Sequence, residues 1–310
     1  MERKYTLSIV CFGEVLWDIF PTHKKIGGAP LNVSLRMNSL GVNTTMISRI
    51  GDDDNGKDIL SFLNDQEVTT DLIQITGEYK TGAVQVMINE KGNASYDILY
   101  PSAWDKIIET EMMDKVVAEA DAFVFGSLAC RDEVTRATLN KLLEKANYKI
   151  FDVNLRAPYY TIDVLNELML KADFIKLNDE ELRQISSELG STYNSFEQNI
   201  KFLAEKTNTK QVCVTKGEFG AVLYSNDKFY YNSGYFIKVV DTVGAGDSFL
   251  ASLIVKLLRG KSPQKALNYA CAIGALVAGQ EGANPQISEK VIRDYMKIEK
   301  KDKKEKAIKK

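Results

Sequence analysis

Apolar positions recur with a period of two in short runs near the N-terminus and with a helical period further along, and the two periods predict the elements. Leu7 to Phe12 and Val15 to Phe20 are apolar runs that predict two strands. Gly27-Gly28-Ala29-Pro30 then opens a helix reaching Leu40, with Pro30 suited to its first position and Gly41 closing it. A strand over Thr44 to Ile50 and a helix over Asn55 to Asn64 follow. Ala83 to Ile88 and Ala94 to Tyr100 flank Asn89-Glu90-Lys91-Gly92-Asn93, which is a hairpin pattern.

From Glu109 onward helical and strand-like stretches alternate. Asp121 to Phe125, Lys149 to Val153, Phe174 to Leu177 and Gln211 to Thr215 are short buried-type strands. Helices are predicted between them, near 132–147, 161–171, 179–189 and 195–206. A meander of Ala221 to Tyr224, Lys228 to Tyr231 and Phe236 to Val240 leads to helices at 245–258, 263–279 and 287–296. Such alternation predicts right-handed crossovers, hence an α/β fold with a mostly parallel central sheet and helices on both faces. The early strands and the 81–100 hairpin predict a small β-sheet lid, from about 14–26 and 81–104, on one domain spanning 1–296. Residues 297–310 are then a flexible Lys-rich tail.

Composition narrows the function. The chain has 310 residues, 45% of them apolar and 26% charged, as expected of a globular protein. Its net charge is −2, yet the tail holds eight lysines and three acids, so the remainder stands near −7. That excess of acid argues against a nucleic-acid partner. Cys11, Cys130, Cys213 and Cys271 are widely spaced, without a CxxC pair, which points to neither a disulfide framework nor a zinc site. No run approaches a membrane span and none resembles a signal peptide, so a cytoplasmic, reducing location is expected. His23 is the sole histidine and lies in a polar turn, so histidine-based nucleophilic catalysis is not expected.

The chemistry concentrates in Asp241-Thr242-Val243-Gly244-Ala245-Gly246-Asp247-Ser248-Phe249, which runs into an amphipathic helix. Small residues leave the first-turn amides uncovered at the positive end of the helix dipole, where an anion can be held. Asp247 in the same turn is placed to take a proton from a hydroxyl attacking phosphorus. The alternative, a capping aspartate in a glycine-rich turn, does not account for the second glycine signal at Gly27-Gly28. We read the chain as a phosphotransferase. No G-x-G-x-x-G follows the first strand, which disfavours a dinucleotide oxidoreductase.

Taken together, the Asp241-to-Phe249 segment and Gly27-Gly-Ala-Pro-Leu-Asn32 resemble the ribokinase-type (pfkB) carbohydrate kinase family over about residues 7–296. Glu14-Val-Leu-Trp-Asp18, Arg49-Ile-Gly51 and Asp152-Val-Asn-Leu-Arg156 further resemble its fructokinase branch. The resemblance implies a ribokinase-like fold and ATP-dependent phosphorylation of a sugar, D-fructose first, with 2-keto-3-deoxygluconate, ribose or a nucleoside as alternatives. A non-catalytic sugar-binding regulator is the alternative from another class. Asp247 is the implied base, with the amides of Gly244, Ala245 and Gly246 as anion hole. Asp18, Gly27, Gly28 and Asn32 are implied to hold the sugar, and Arg156 a terminal phosphate. Asn178, Thr215, Gly217 and Gly220 belong with the nucleotide, and Glu181 with Mg²⁺ through water. Asp241, the Val243 carbonyl and the Gly282 loop are implied to hold K⁺. Tyr96 and Trp104 are candidates for packing the sugar ring, and relatives suggest a homodimer through the lid.

Overall fold

The computed structural model describes residues 6–88 and 94–297, with side chains from 6–87 and 97–297. Thirteen strands are named among them: β1 Ser8–Phe12, β2 Leu16–Ile19, β3 Lys24–Gly27, β4 Asn43–Gly51, β5 Ile73–Thr76, β6 Gly82–Ile88, β7 Ala94–Ile98, β8 Ala122–Gly126, β9 Lys149–Asp152, β10 Phe174–Asn178, β11 Gln211–Thr215, β12 Ala221–Ser225 and β13 Lys228–Asn232. The helices are α1 Ala29–Ser39, α2 Asp54–Asp65, α3 Glu111–Glu119, α4 Glu133–Lys145, α5 Ile162–Lys171, α6 Asp179–Glu188, α7 Phe196–Thr207, α8 Ala245–Leu258 and α9 Pro263–Ala278.

Nine strands form one sheet in the order β13-β12-β11-β10-β9-β8-β1-β4-β5. It is parallel from β11 through β5, and β12 and β13 are antiparallel additions. The strands read as continuous apolar runs because helices cover both faces. One core gathers Ile9, Cys11 and Leu31 with Leu250 and Ile254 of α8 and Ala270 of α9. The other gathers Val10, Phe12 and Phe123 with Leu139 of α4, Leu165 of α5 and Ile200 of α7.

A second sheet, in the order β3-β2-β6-β7, stands apart. Its β2–β6 pairing is parallel and the other two are antiparallel. A small cluster of Leu16, Val84, Ile98, Trp104 and Leu128 seats it on the main body. Trp104, a candidate for packing a sugar, belongs to that cluster: it is fully buried with Arg131 4.1 Å above its ring. The side chain of Tyr96, the turn of the 81–100 hairpin and the tail beyond 297 lie outside the described residues.

The structure differs from the pattern reading in three places. Phe236 to Val240 is no strand: Phe236, Val239 and Val240 are exposed, and the Val240 amide donates to the Ala278 carbonyl of α9 at 2.8 Å instead of into a ladder. Strand β3, Lys-Lys-Ile-Gly, carries one apolar residue and exists through its pairing with β2. Strand β5 is four residues on the edge beside β4, too short for a clear pattern. The chain is also helical from 289 to 297.

Candidate active site

The loops leaving the carboxyl ends of β1, β9, β10 and β11 carry Glu14, Arg156, Asn178–Glu181 and Gly217, all on the edge where ligands bind a parallel sheet. Helix α8 points its N-terminus at the same edge. Gly244 precedes it at φ +72°, and a Cβ there would lie 2.5 Å from the Ala283 Cβ. Only glycine therefore lets the 241–244 and 282–284 loops pack together. The Ala245 amide donates to the Thr242 carbonyl at 3.2 Å. Of the three amides assigned to an anion, Gly244 and Gly246 have no such backbone bond among the described residues.

Asp247 lies in the first turn of α8 and is partly buried. Asn32 of α1 donates from Nδ2 to its Oδ2 at 2.8 Å, and Asn284 donates to Asn32 Oδ1 at 2.9 Å. Arg36, one turn further along α1, donates to Ser248 Oγ and to the Pro285 carbonyl, both at 3.0 Å. Two helices distant in sequence are thus fixed together at the first turn of α8. Burial lifts the Asp247 carboxyl to about 6, helped by Asp152 and opposed by Lys176, Asn32 and Arg156. It is still mostly ionised at neutral pH, and so able to accept a proton.

Beneath this turn lies a residue that sequence reasoning missed. Lys176 in β10 is buried and donates to Asp152 Oδ1 at 2.9 Å. A Cβ on Gly246 would lie 3.5 Å from its Nζ, so the ammonium lies directly beneath the helix N-terminus and adds to its positive potential. Burial works against that charge, but Asp152, Glu181 and Asp247 outweigh it and raise its pKa. The signal in the sequence was a lone lysine inside the apolar run Phe-Ile-Lys-Leu.

Asp18 projects from β2, half-buried, with its carboxyl raised to about 6 by burial against the pull of Arg156 and Lys25. Gly27 faces it from β3, where a Cβ would lie 2.4 Å from Asp18 Oδ2. Gly28 at φ +113° passes so near the Glu14 carbonyl that a Cβ would sit 2.4 Å from it. Glu14 is a second group not singled out from sequence. It is buried, accepts from the Ala29 amide at 3.3 Å and has a buried Oε2 without a hydrogen-bond partner. Burial pushes its pKa to about 7. Arg156 is exposed and donates to the Leu155 carbonyl at 2.9 Å, while its charge reaches Glu14, Asp18 and Asp247.

Asn178 and Glu181 form a capping box at the start of α6. Glu181 accepts from the Asn178 amide at 2.7 Å and from the Leu155 amide at 2.8 Å. The pair thus ties the Arg156 loop to α6. Both Glu181 oxygens keep a free lone pair, so the residue fits Mg²⁺ held through water. Among the described residues no group of three or more His, Cys, Asp or Glu side chains gathers as a metal site. Thr215 lies beside Asn178 in register, and the 216–220 turn closes by a Lys216 amide bond to the Gly220 carbonyl at 2.8 Å. Gly217 is exposed at φ +54°, whereas Gly220 is buried against Asn232 and Gly234. Asp241 accepts from the Val243 amide at 3.0 Å and the Gly282 amide at 3.1 Å, so those three residues do meet.

Comparison with known proteins gives the family. The family described as pfkB family carbohydrate kinase matches residues 4–290. Fructokinase-2 of Solanum habrochaites is 28% identical over 309 residues, covering 90% of this chain and 92% of the relative. An uncharacterized sugar kinase from Pyrococcus horikoshii, solved in complex with ATP, superposes with a TM-score of 0.77 at 27% identity, covering 89% of this chain and 94% of that one. The 2-dehydro-3-deoxygluconokinase of Thermotoga maritima has a TM-score of 0.81 at 22% identity over 94% of this chain and 99% of that one.

Proposed function

This chain belongs to the pfkB carbohydrate kinases, phosphotransferases acting on a sugar hydroxyl; on that premise we propose that it is of the fructokinase branch and transfers the γ-phosphoryl of ATP to a primary hydroxyl of D-fructose, giving fructose 6-phosphate. The observation that carries the reading is Asp247 in the first turn of α8, oriented by Asn32 and reached by the same Arg156 charge that acts on Asp18 and Glu14. Asp247 takes the proton of the attacking hydroxyl while the hydroxyl oxygen bonds to phosphorus. The bond to the ADP oxygen breaks, and ADP leaves with that electron pair. A loose phosphoryl transition state lets proton transfer lag, so an aspartate near 6 suffices. The Gly244 and Gly246 amides, with the helix dipole and Lys176 behind them, stabilise the charge of the transferred group.

Asp18 and Asn32 supply acceptors and donors for sugar hydroxyls, and Arg156 takes a terminal phosphate through its planar fork. Glu181, beside Asn178, would hold Mg²⁺ through water, and the ion would supply charge neutralisation. Thr215 and Gly217 border the nucleotide phosphates, and Asp241 with the Val243 carbonyl offers hard oxygens suited to K⁺. The small sheet acts as a lid that expels water, protecting ATP from hydrolysis. A homodimer through that sheet uses its edge strands β3 and β7, and light scattering in solution tests it. The four buried cysteines, which form no disulfide, suit a cytoplasmic setting, and no helix among the described residues is long and apolar enough to cross a membrane.

A sugar acid such as 2-keto-3-deoxygluconate is the second reading, favoured by the positive charge that Arg156 and Lys25 bring near Asp18. An ADP-release assay across ketoses, aldoses, sugar acids and nucleosides decides between them. Highest kcat/KM on fructose supports the first reading, and none on any acceptor would leave only a non-catalytic sugar binder.

A further inference from the structure

Among the described residues, one ion pair joins the small sheet to the loop that precedes α8: Lys25 Nζ lies 3.8 Å from Asp241 Oδ2. Lys25 sits in β3 directly opposite Asp18 and on the same strand face as Gly27, so its side chain leaves the sheet toward the pocket. Its ammonium passes 5.7 Å from the Phe20 ring on the way.

Asp241 is no ordinary surface acid. Its two oxygens accept the Val243 and Gly282 amides, so this one carboxylate binds the 241–244 loop to the 282–284 loop. Gly244, at the end of the first loop, packs against Ala283 of the second. Asn284, the next residue, holds Asn32, and Asn32 holds Asp247. Contacts therefore run without a break from the small sheet to the base: Lys25, Asp241, the Gly282–Asn284 loop, Asn32, Asp247.

Stability does not explain the pair. Lys25 and Asp241 keep 43% and 23% of their side-chain surface exposed, and a solvated pair at this separation contributes little to folding. Its worth lies in which carboxylate it meets. Resting on the kinase reading above, we propose that Lys25 is a positioning residue of the transfer reaction: seating the small sheet over the pocket brings its ammonium to Asp241, and this fixes the two loops that shape the anion cradle and orient the base.

The competing account is that Lys25 serves only its other acidic neighbour, Asp18, whose carboxyl it helps keep ionised. Steady-state kinetics with a double-mutant cycle separates the two. Lys25→Met should lower kcat/KM for the acceptor about five- to fifty-fold, in the lower part of the range for site-to-site coupling. Melting temperature and ATP Kd should stay at wild-type values, and Lys25→Arg should recover most of the rate. Combined with Asp241→Asn, Lys25→Met should cost less than about a further twofold, because the partner is already gone. Combined with Asp18→Asn, its full effect should persist.

Unchanged acceptor kinetics in Lys25→Met overturn the proposal. So does a Lys25→Met effect that persists undiminished on Asp241→Asn but vanishes on Asp18→Asn. If Asp241→Asn does not fold, the combination with Asp18→Asn decides: a Lys25→Met effect that persists there supports the proposal, and one that vanishes overturns it. These comparisons are made on enzyme that turns over an acceptor, so a failure of the kinase reading shows earlier, as no ADP release from the wild type.

Discussion

Asn32 holds Asp247 by a 2.8 Å hydrogen bond between residues 215 apart in the chain. It fixes the carboxylate at the mouth of α8 and leaves Asp247 Oδ1 for the substrate. Asp247→Asn removes the base and keeps the shape, so kcat should fall by about 10²–10⁴ while ATP Kd stays near wild type. Rapid-quench turnover and calorimetry check the two halves, and wild-type turnover would dismiss Asp247 as the base.

The pH profile follows from the same carboxyl. Protonation disables a base, so the rate falls as pH drops through the Asp247 pKa of about 6 and is flat above it. The Asn32 hydrogen bond favours the ionised form. Asn32→Ala should therefore move the acid limb of kcat to higher pH as well as lowering its plateau. An acid limb in the same place for both enzymes would contradict that role.

Asp18 pairs with Lys25 across β2 and β3, and its carboxylate lies over Gly27, where a Cβ would sit 2.4 Å from Oδ2. Asp18→Ala should weaken sugar binding by about 1.5–3 kcal/mol, as for hydrogen bonds to a charged group. Isothermal titration with a non-hydrolysable nucleotide present reads this directly. An unchanged sugar Kd would remove Asp18 from the sugar site.

For the monovalent ion, turnover is expected to rise when K⁺ replaces Na⁺ at constant ionic strength. Lys25 competes for the same carboxylate, so the gain should be larger in Lys25→Met. Identical rates in both salts for both proteins would argue against an ion at Asp241.

Glu14 makes a stability prediction. Its pKa rises from 4.5 to about 7 on folding, chiefly by burial. A raised acid costs nothing below its unfolded value, and the cost grows as pH climbs through the folded one. Glu14→Gln stays neutral, so relative to it the wild type should lose about 1–3 kcal/mol between pH 5 and pH 8. Denaturant unfolding at the two pH values tests this, and a gap that does not widen would place the carboxyl in a wetter setting.

Much of this was legible in residue order. The alternation of apolar runs and helical periods gave the parallel sheet, because buried strands and amphipathic helices carry different periods. Gly27-Gly28 and Gly244-Ala245-Gly246 stood out because few sequences need so little side chain beside an acid. What escaped were residues whose meaning depends on a neighbour from elsewhere. Lys176 read as an intrusion in a strand until Asp152 and Gly246 came beside it. Strand β3 carries almost no apolar pattern and exists because β2 supplies its hydrogen bonds. Phe236 to Val240 had the pattern of a strand, but its Val240 amide went to the Ala278 carbonyl at the end of α9 and not into a ladder.

The sequence by itself determined the chemistry on offer: an acid at a bare helix start, a glycine pair ahead of an asparagine, and a single histidine that rules out most nucleophilic schemes. Those are properties of residue type and local backbone, which a short segment carries with it. Tertiary structure alone decided which carboxylates are desolvated, which ammonium faces which acid, and that Asn32 meets Asp247. Burial and distance arise from segments packing together, and the energy of a charge depends on them far more than on its neighbours in the chain.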